Sequence, residues 1–306
     1  MRLGFSLPQC GDIASPDSIR TIACEAEALG YDSVWVLDRL LYPVSPKTPY
    51  RVTLDGSLPP AYQRTLDPLG ALTFAAACTS RIGLGTSVLN LPFYNPVLLA
   101  RQLTSIDVLS GGRLIVGFGT GWSQDEYEAA GSEWKSRGAR TSEALDVIRK
   151  MWTEETPEHH GTYYSLPKTI LGLRPVQKPH PPIYLAAFTE ATMKRVAERA
   201  DGWNPAGLPI PRMKAMFDGI CAMARAAGRD PARLKLVVRA NLTVSEARLG
   251  ADRGPFVGSF EQICDDISAT RDSGAHELFF DPQFSPGFDN LPAQIALMRR
   301  LRDFVG

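Results

Sequence analysis

Residues 82–122 read IGLGTSVLNLPFYNPVLLARQLTSIDVLSGGRLIVGFGTGW, and this stretch decides the fold. Its two ends, residues 82–87 and 114–118, are short apolar runs of the kind that form buried strands. Between them, Pro96 begins a stretch with helical periodicity that continues to residue 109. The stretch therefore predicts a strand–helix–strand unit, which is the building block of a parallel sheet.

The same alternation continues on both sides of this unit. Further strand candidates are residues 2–7, 33–37, 183–186, 202–204, 236–240 and 277–280. Further helical stretches are roughly residues 16–29, 67–79, 138–155, 189–200, 210–227, 259–273 and 289–304. Eight strand–helix units without a break in composition predict an α/β protein, a (β/α)₈ TIM barrel that forms a single domain over residues 1–306. A doubly wound open sheet is the alternative, and the number of strands favours the barrel.

Four long connections interrupt the regular alternation. Residues 38–66, 119–137 and 241–258 follow strands, and residues 157–182 form an extended excursion before the fifth strand. Connections of two to six residues are usual in such units. In a barrel, the segments after strands lie on the C-terminal face, where active sites are built. We expect the three insertions that follow strands to act as substrate loops or lids, and for the first of them a solvated surface loop is the alternative.

Charge and composition exclude several classes of function. The 33 basic residues balance 33 acidic ones, and no basic run exceeds a pair, so no nucleic-acid partner is expected. The N-terminus lacks a signal-peptide pattern and no apolar run reaches 18 residues, which predicts a cytoplasmic protein with no membrane partner. The five cysteines form no C-x-x-C pair and no histidines have i, i+4 spacing, so no metal is expected.

Small and polar residues follow the predicted strands. They are Asp38-Arg39, Thr86 to Asn90, Gly117 to Trp122, Ala186 to Thr189, Asn204 and Asp281. Gly117, Gly119 and Gly121 let a ligand approach the backbone closely and can adopt positive φ, and Trp122 beside them offers a flat surface. A planar cofactor fits this pattern, and a glycine-rich turn without a ligand is the alternative.

Two residues at strand ends suggest more specific roles. Thr189 begins the helix after the fifth strand, where free N–H groups suit a phosphate, although a plain N-cap explains it equally. Asp38 can position the edge of a ring, or act as a proton acceptor if burial raises its pKa. A structural ion pair with Arg39 is the alternative for Asp38.

The chain resembles the luciferase-like flavin monooxygenase superfamily, particularly the branch that depends on the deazaflavin coenzyme F420. The likeness spans nearly the whole chain and is most specific in RIGLGTSV (81–88), LSGGR (109–113) and GFGTGW (117–122). Asn95-Pro96, PHPPI (179–183) and ADGW (200–203) also match. FMN is the alternative cofactor, because both compounds carry a tricyclic ring and a ribityl phosphate; the match at residues 85–88 favours F420.

The resemblance implies a barrel, often dimeric, that holds the coenzyme at its C-terminal face, so a homodimer is expected. It places a non-prolyl cis peptide at Ser87-Val88, after Thr86, supporting the back of the ring. It implies that Asp38 contacts the pyrimidine-like edge of the ring. The residues that would line the side of the ring are Gly119, Thr120, Gly121 and Trp122, and those that would hold the phosphate are Ala187, Phe188 and Thr189.

Two departures from the family shape the predicted activity. Its sugar-phosphate dehydrogenases have Asp-His where this chain has Asp38-Arg39, and a Glu where it has Trp122. We therefore expect a reductase that transfers a hydride from reduced F420 to a small unsaturated or carbonyl compound. An FMN-dependent monooxygenase that uses reduced flavin and oxygen is one alternative, and a non-catalytic flavin-binding barrel is another.

The substrate pocket is predicted from the first insertion and the third strand end. Aromatic residues there suggest an apolar or aromatic substrate, whereas the arginines suit an acidic substituent or the coenzyme's polyanionic tail. The predicted pocket residues are Arg39, Tyr42, Tyr50, Arg51, Asn90 and Tyr94.

Overall fold

Eight parallel strands close into a barrel in the computed structural model, which describes residues 1–50, 52–53 and 55–306. Each strand pairs with the next along the chain, β8 returns to β1, and the pairing of Leu84 with Leu114 joins β3 to β4. The predicted (β/α)₈ barrel is confirmed. The strands are β1 (Arg2–Ser6), β2 (Ser33–Val36), β3 (Gly83–Thr86), β4 (Leu114–Gly119), β5 (Ile183–Leu185), β6 (Gly202–Trp203), β7 (Lys235–Asn241) and β8 (Glu277–Asp281).

Helices surround the barrel and follow its strands. Proline occupies one of the first two helical positions of α1, α2, α3, α7 and α9, where its missing N–H costs no hydrogen bond. Among the described residues, no helix has the length and apolar content needed to cross a membrane. The helices are α1 (Pro16–Ala28), α2 (Pro68–Cys78), α3 (Pro96–Leu109), α4 (Gln124–Ala129), α5 (Arg137–Thr153), α6 (Glu190–Arg199), α7 (Ile210–Ala226), α8 (Phe260–Asp272) and α9 (Leu291–Val305).

Aromatic side chains fill the inside of the barrel. The rings of Trp35 and Phe279 stack with centroids 4.5 Å apart, and both are almost fully buried. A side chain at Gly85 would collide with the Trp35 ring, so the glycine makes room for it. Ile115, Tyr184 and Val237 complete this inner cluster. The barrel is therefore packed below its C-terminal ends, and a ligand has room only above them.

The insertions contain short elements that the sequence did not predict. Helix α4 lies within residues 119–137, where Ser123 caps it by accepting the N–H of Glu126. Two-residue strands pair as His159–His160 with Ser165–Leu166, and as Thr243–Val244 with Val257–Gly258. Elements of two to six residues leave too little periodicity to be recognised in a sequence.

Candidate functional site

The end of β3 is fixed by side chains from the opposite side of the barrel. The peptide between Ser87 and Val88 is cis, at the position that the family resemblance implied. Ser87 donates its hydroxyl to Asn204 Oδ1 at 2.7 Å, and Asn204 in turn donates to the carbonyl of Val237 at 2.7 Å. Arg239 Nη1 donates to the Ser87 carbonyl at 2.8 Å. Strands β6 and β7 therefore hold this turn in one orientation.

Gly117 and Gly119 lie at the C-terminal end of β4 and Gly121 follows it; the first two do not adopt the positive φ that the sequence suggested for these glycines. A side chain at Gly117 would collide with the carbonyl of Thr86, and one at Gly119 would come within 2.5 Å of Val88 Cγ2. The hydroxyl of Thr86 is bonded to both the N–H and the carbonyl of Gly117, at 2.9 Å each. Of these glycines, Gly121 alone has a positive φ, of 70°. Close approach to strand β3 accounts for the first two glycines without any ligand.

Asp38 is buried at the end of β2 and belongs to a small polar group. Its Oδ2 accepts the backbone N–H of Asn90 at 2.8 Å, and the Tyr94 hydroxyl lies beside the carboxyl. Burial raises the pKa of Asp38 to about 6, and the Asn90 hydrogen bond offsets this only in part. The structure thus brings together Asp38, Asn90 and Tyr94, and it gives Asp38 a pKa at which it can exchange protons near neutral pH.

Arg39 forms its ion pair with Glu126 and not with Asp38, so the pairing considered from the sequence is wrong. Its Nη1 lies 3.1 Å from Glu126 Oε1, and both side chains are almost fully buried. The guanidinium carbon lies 4.8 Å from the ring centre of Tyr62 and 5.0 Å from that of Trp122. Arg39 is therefore held between two aromatic faces as well as by a carboxylate.

The aromatic residues of the first insertion cover this arginine. The Tyr50 ring packs against Trp122 with centroids 5.2 Å apart, and its hydroxyl lies 3.4 Å from that of Tyr62. The Tyr42 hydroxyl donates to the carbonyl of Leu58 at 3.3 Å. Arg51, also predicted to line the pocket, lies outside the described residues. The predicted pocket residues Arg39, Tyr42 and Tyr50 thus belong to one cover over the barrel mouth.

The end of β5 leads into a capped helix. Thr189 is the N-cap of α6, and the Thr192 hydroxyl accepts the N–H groups of both Phe188 and Thr189, at 3.0 and 2.9 Å. Ala187 is buried and accepts the Trp203 indole N–H at 3.0 Å, whereas Phe188 is 56% exposed. Two N–H groups at the predicted phosphate site are therefore already bonded within the helix start.

Sequence reasoning missed two ion pairs of the barrel mouth. Arg239, inside strand β7, forms a buried ion pair with Asp281 of β8. Glu126, on α4, is the partner of Arg39 and also accepts the N–H of Leu40 at 2.8 Å. The one signal for Arg239 was a charged residue within the apolar run of a strand, and such residues are seldom buried without a partner.

Buried charges in this region are balanced locally. Burial raises the pKa of the Glu126 carboxyl, while Arg39 and the N–H groups of Leu40 and Leu41 oppose the rise.

Burial also raises the pKa of the Cys10 thiol to about 12, so this cysteine is not a nucleophile at neutral pH. Among the described residues, no three His, Cys, Asp or Glu side chains are grouped so that they could hold a metal ion.

Comparison with known proteins identifies the family of this chain. The model of the luciferase-like monooxygenase family matches residues 1–254. The chain belongs to this family. The luciferase-like chain is 36% identical over 209 residues to the uncharacterised protein Rv0953c of Mycobacterium tuberculosis, a match that covers 67% of this chain and 73% of that protein.

Two further similar proteins are named for different chemistries. The F420-dependent glucose-6-phosphate dehydrogenase of Amycolatopsis mediterranei is 34% identical over 192 residues, covering 61% of this luciferase-like chain and 53% of its own length. Among solved structures, the monooxygenase RslO1 from Streptomyces bottropensis superposes with a TM-score of 0.79 at 21% identity, covering 100% of this chain and 98% of that one. The second likeness shows a shared fold.

Proposed function

We propose that this luciferase-like protein is an oxidoreductase that transfers a hydride between the deazaflavin coenzyme F420 and a small organic substrate, working as a reductase. The observation that carries the proposal is the buried carboxyl of Asp38 at the barrel mouth, held by the Asn90 N–H. Asn90 belongs to the segment that follows β3, as do Ser87 and Val88, so the carboxyl lies next to the proposed ring site. The F420-dependent relative at 34% identity supports the choice of coenzyme.

The residues at the ends of β3 and β4 fit a tricyclic ring. Val88 offers an apolar surface, packed against Gly119, and the carboxyl of Asp38 lies at the neighbouring strand end. Reduced F420, when bound, supplies a hydride and reacts poorly with oxygen. In this proposal Val88 supports the ring, Asp38 lies at its edge, and the start of α6 at Thr189 lies towards the phosphate.

Asp38 also provides the proton that the reduction requires. Reduction of a carbonyl or C=C bond adds a hydride to one atom and a proton to the other. Protonated Asp38 donates this proton and becomes a carboxylate, which solvent then reprotonates. Because burial raises the pKa of Asp38 to about 6, a useful fraction of the carboxyl carries a proton near neutral pH.

Binding and turnover measurements test the proposal against its two alternatives. Purified apoprotein is titrated with F420 and, separately, with FMN, with tryptophan fluorescence as the signal. F420 binding at least tenfold tighter than FMN binding, a difference of about 1.4 kcal/mol, is expected. Oxidation of reduced F420 by a panel of enones and aldehydes under argon would then support the reductase. A preference for FMN with oxygen-dependent product would overturn it in favour of the monooxygenase, and binding without any turnover would favour a non-catalytic barrel.

The role of Asp38 is tested by Asp38→Asn, which keeps the shape of the side chain but carries no exchangeable acid. We expect kcat/KM to fall by about 100-fold or more and the limb of the pH profile near pH 6 to disappear. Asp12→Asn, a change at a fully exposed carboxylate, serves as the control. An unchanged pH profile in Asp38→Asn would assign the proton to another group.

The homodimer and the cytoplasmic location are proposals that rest on the family resemblance and the sequence. A homodimer predicts a mass of twice 33.5 kDa by light scattering after gel filtration. A mass that stays at 33.5 kDa at micromolar concentration would contradict it.

A further inference from the structure

Gln9 joins the two ends of the first insertion, residues 38–66. Its side chain is fully buried, and the amide Nε2 donates to the carbonyl of Leu37 at 2.9 Å and to that of Leu66 at 3.0 Å. Leu37 is the last residue before the insertion, and Leu66 is the last residue within it. One amide group therefore closes the long connection between β2 and α2 at its base.

The amide of Gln9 takes the place of a strand neighbour for Leu37. Its Oε1 accepts the N–H of Leu37 at 2.6 Å, while its Nε2 donates to the carbonyl of the same residue. Strand β1 ends at Ser6, and beyond it the carbonyl of Leu7 accepts the N–H of Gln9 itself at 2.8 Å. Because the main chain turns there, the side chain supplies the two bonds that a continuing β1 would give to β2.

This contact fixes the residue that precedes the proposed acid. Leu37 is followed directly by Asp38, whose carboxyl accepts the N–H of Asn90 at 2.8 Å. The N–H and the carbonyl of Leu37 are both bonded to one planar amide, so the backbone that leads into Asp38 has little freedom. Asp38 thus lies between two anchors, with Gln9 on the side of β1 and Asn90 on the side of β3.

Gln9 is itself held in place. Gln283, which follows β8, accepts the backbone N–H groups of Gln9 and Cys10 with its Oε1, at 3.2 Å each. The backbone carbonyl of Gln9 accepts the N–H of Leu66 at 2.9 Å. Both polar atoms of the Gln9 side chain have partners. A buried amide with its groups paired in this way keeps one orientation.

We propose that Gln9 is a positioning residue for Asp38, which through Leu37 holds the carboxyl in its buried place at the barrel mouth. The inference rests on the proposed function, since it takes Asp38 as the proton donor of the reduction. Gln9 has no hydrogen bond to Asp38 and acts through the chain. Loss of the Gln9 amide frees the backbone before Asp38 and lets water reach the carboxyl.

The pKa of Asp38 reports the position of its carboxyl without any coenzyme. Burial is the largest influence on this pKa and raises it from 3.8 to about 6. The titratable groups that face Asp38 are Glu126 on α4, Arg39 beside it in the chain and Tyr94 after β3. Among the described residues, Gln9 has a hydrogen bond to none of them. A change of this pKa on substitution of Gln9 therefore reflects a change in the burial of Asp38.

Substitution of Gln9 tests the proposal in the protein without coenzyme. Gln9→Leu keeps an uncharged side chain and removes all three side-chain hydrogen bonds, so the acid dissociation constant of Asp38 should rise by about tenfold or more as its pKa falls towards 3.8. Infrared titration measures it from the carbonyl band of the protonated carboxyl, which is identified by its loss in Asp38→Asn. If Gln9→Leu does not fold, Gln9→Asn, whose side chain is one methylene shorter, makes the same prediction. A pKa that stays at about 6 in a variant with lower Tm would overturn the proposal.

Gln262 provides the matched control. It is also a buried glutamine that holds an insertion, because its Oε1 accepts the N–H of Leu249 and its Nε2 donates to the carbonyl of Leu249, at 2.9 Å each. Leu249 lies in the insertion at residues 241–258, which does not lead into Asp38. Gln262→Leu should lower Tm and leave the pKa of Asp38 unchanged. An equal fall of this pKa in the two glutamine variants would show that any loosened insertion exposes the carboxyl, and would overturn the proposal.

Turnover separates this inference from the proposed function. If the protein reduces substrates with F420, the limb of the pH profile near pH 6 should move to lower pH in Gln9→Leu, in step with the titration. A limb that stays in place while the titration moves would overturn the link between Gln9 and the reaction. Rejection of F420 would overturn the hydride transfer and leave the titration result standing.

Discussion

Glu126 and Leu40 join two insertions at the barrel mouth: the carboxylate Oε1 of Glu126 accepts the backbone N–H of Leu40 at 2.8 Å. Further contacts connect the same two segments. Asp125 accepts the N–H of Lys47 at 2.9 Å, and Gln124 donates its N–H to the Thr48 hydroxyl at 3.2 Å. Helix α4 and the segment after β2 are therefore fastened together over the site.

Removal of Glu126 should destabilise the protein strongly. Glu126→Ala leaves the buried guanidinium of Arg39 without its counter-charge and Leu40 without its acceptor, so a loss of about 3 kcal/mol in the free energy of unfolding is expected. Glu128→Ala, which breaks the exposed ion pair with Lys47, should cost less than about 1 kcal/mol. Urea denaturation measures both, and equal losses would show that the buried pair contributes nothing.

Asp38 should make the protein less stable as the pH rises. Because burial raises the pKa of its carboxyl from 3.8 to about 6, the folded protein binds this proton more tightly than the unfolded chain, and the free energy of unfolding falls between about pH 4 and pH 6. Asp38→Asn removes this contribution, so its advantage over the wild type should be greater at pH 7 than at pH 4 by about 3 kcal/mol. Burial also raises the pKa values of Glu126 and Glu277. Both proteins contain these two residues, so the comparison removes their contribution to the pH dependence of the free energy of unfolding. Denaturation curves at the two pH values measure it, and an advantage independent of pH would contradict the assignment.

Glu27 should have the opposite dependence on pH. Although burial alone would raise the pKa of this carboxyl, hydrogen bonds from the N–H groups of Arg81, Ile82 and Ser80 lower it from 4.5 to about 2. Its contribution to stability is therefore full above about pH 4.5 and is lost as the pH falls towards 2. Glu27→Gln should lower Tm clearly at pH 6 and less at pH 3. Glu25→Gln, at the partly exposed neighbour that pairs with Arg299, provides the control; a Tm difference that does not shrink in acid would count against this role.

Alanine substitutions at Gly117 and Gly119 should respond differently to a second substitution at Val88. Gly119→Ala places a methyl group against the Val88 side chain, and a destabilisation of about 1–3 kcal/mol is expected. Val88→Ala should recover part of this loss. Gly117→Ala collides with the backbone carbonyl of Thr86, which no side-chain change can relieve, so the same second substitution should not rescue it. Gly172→Ala, in open space, is the control. Thermal melts compare these five variants with the wild type, and rescue in both cases would show that the Thr86 contact does not limit this strand.

The barrel was predictable because each strand and helix carries its own periodicity, and the order of the elements then determines the sheet. The family likewise was predictable from local motifs such as residues 117–122. The partner of Arg39 was not predictable, because Glu126 reaches it only after the chain has formed two further barrel strands and helix α4. The packing role of Gly117 and Gly119 was not predictable for a similar reason: the atoms that exclude a side chain there belong to Thr86 in β3 and to Val88 just after it. Spacing along a chain shows which residues follow strands, and it does not show which of them meet.

The stacked rings of Trp35 and Phe279 also bear on how ligands come and go. Because they fill the barrel beneath the site, coenzyme and substrate must both enter and leave through its C-terminal face. We therefore expect both molecules to be bound at that face together, which predicts steady-state kinetics of the sequential type.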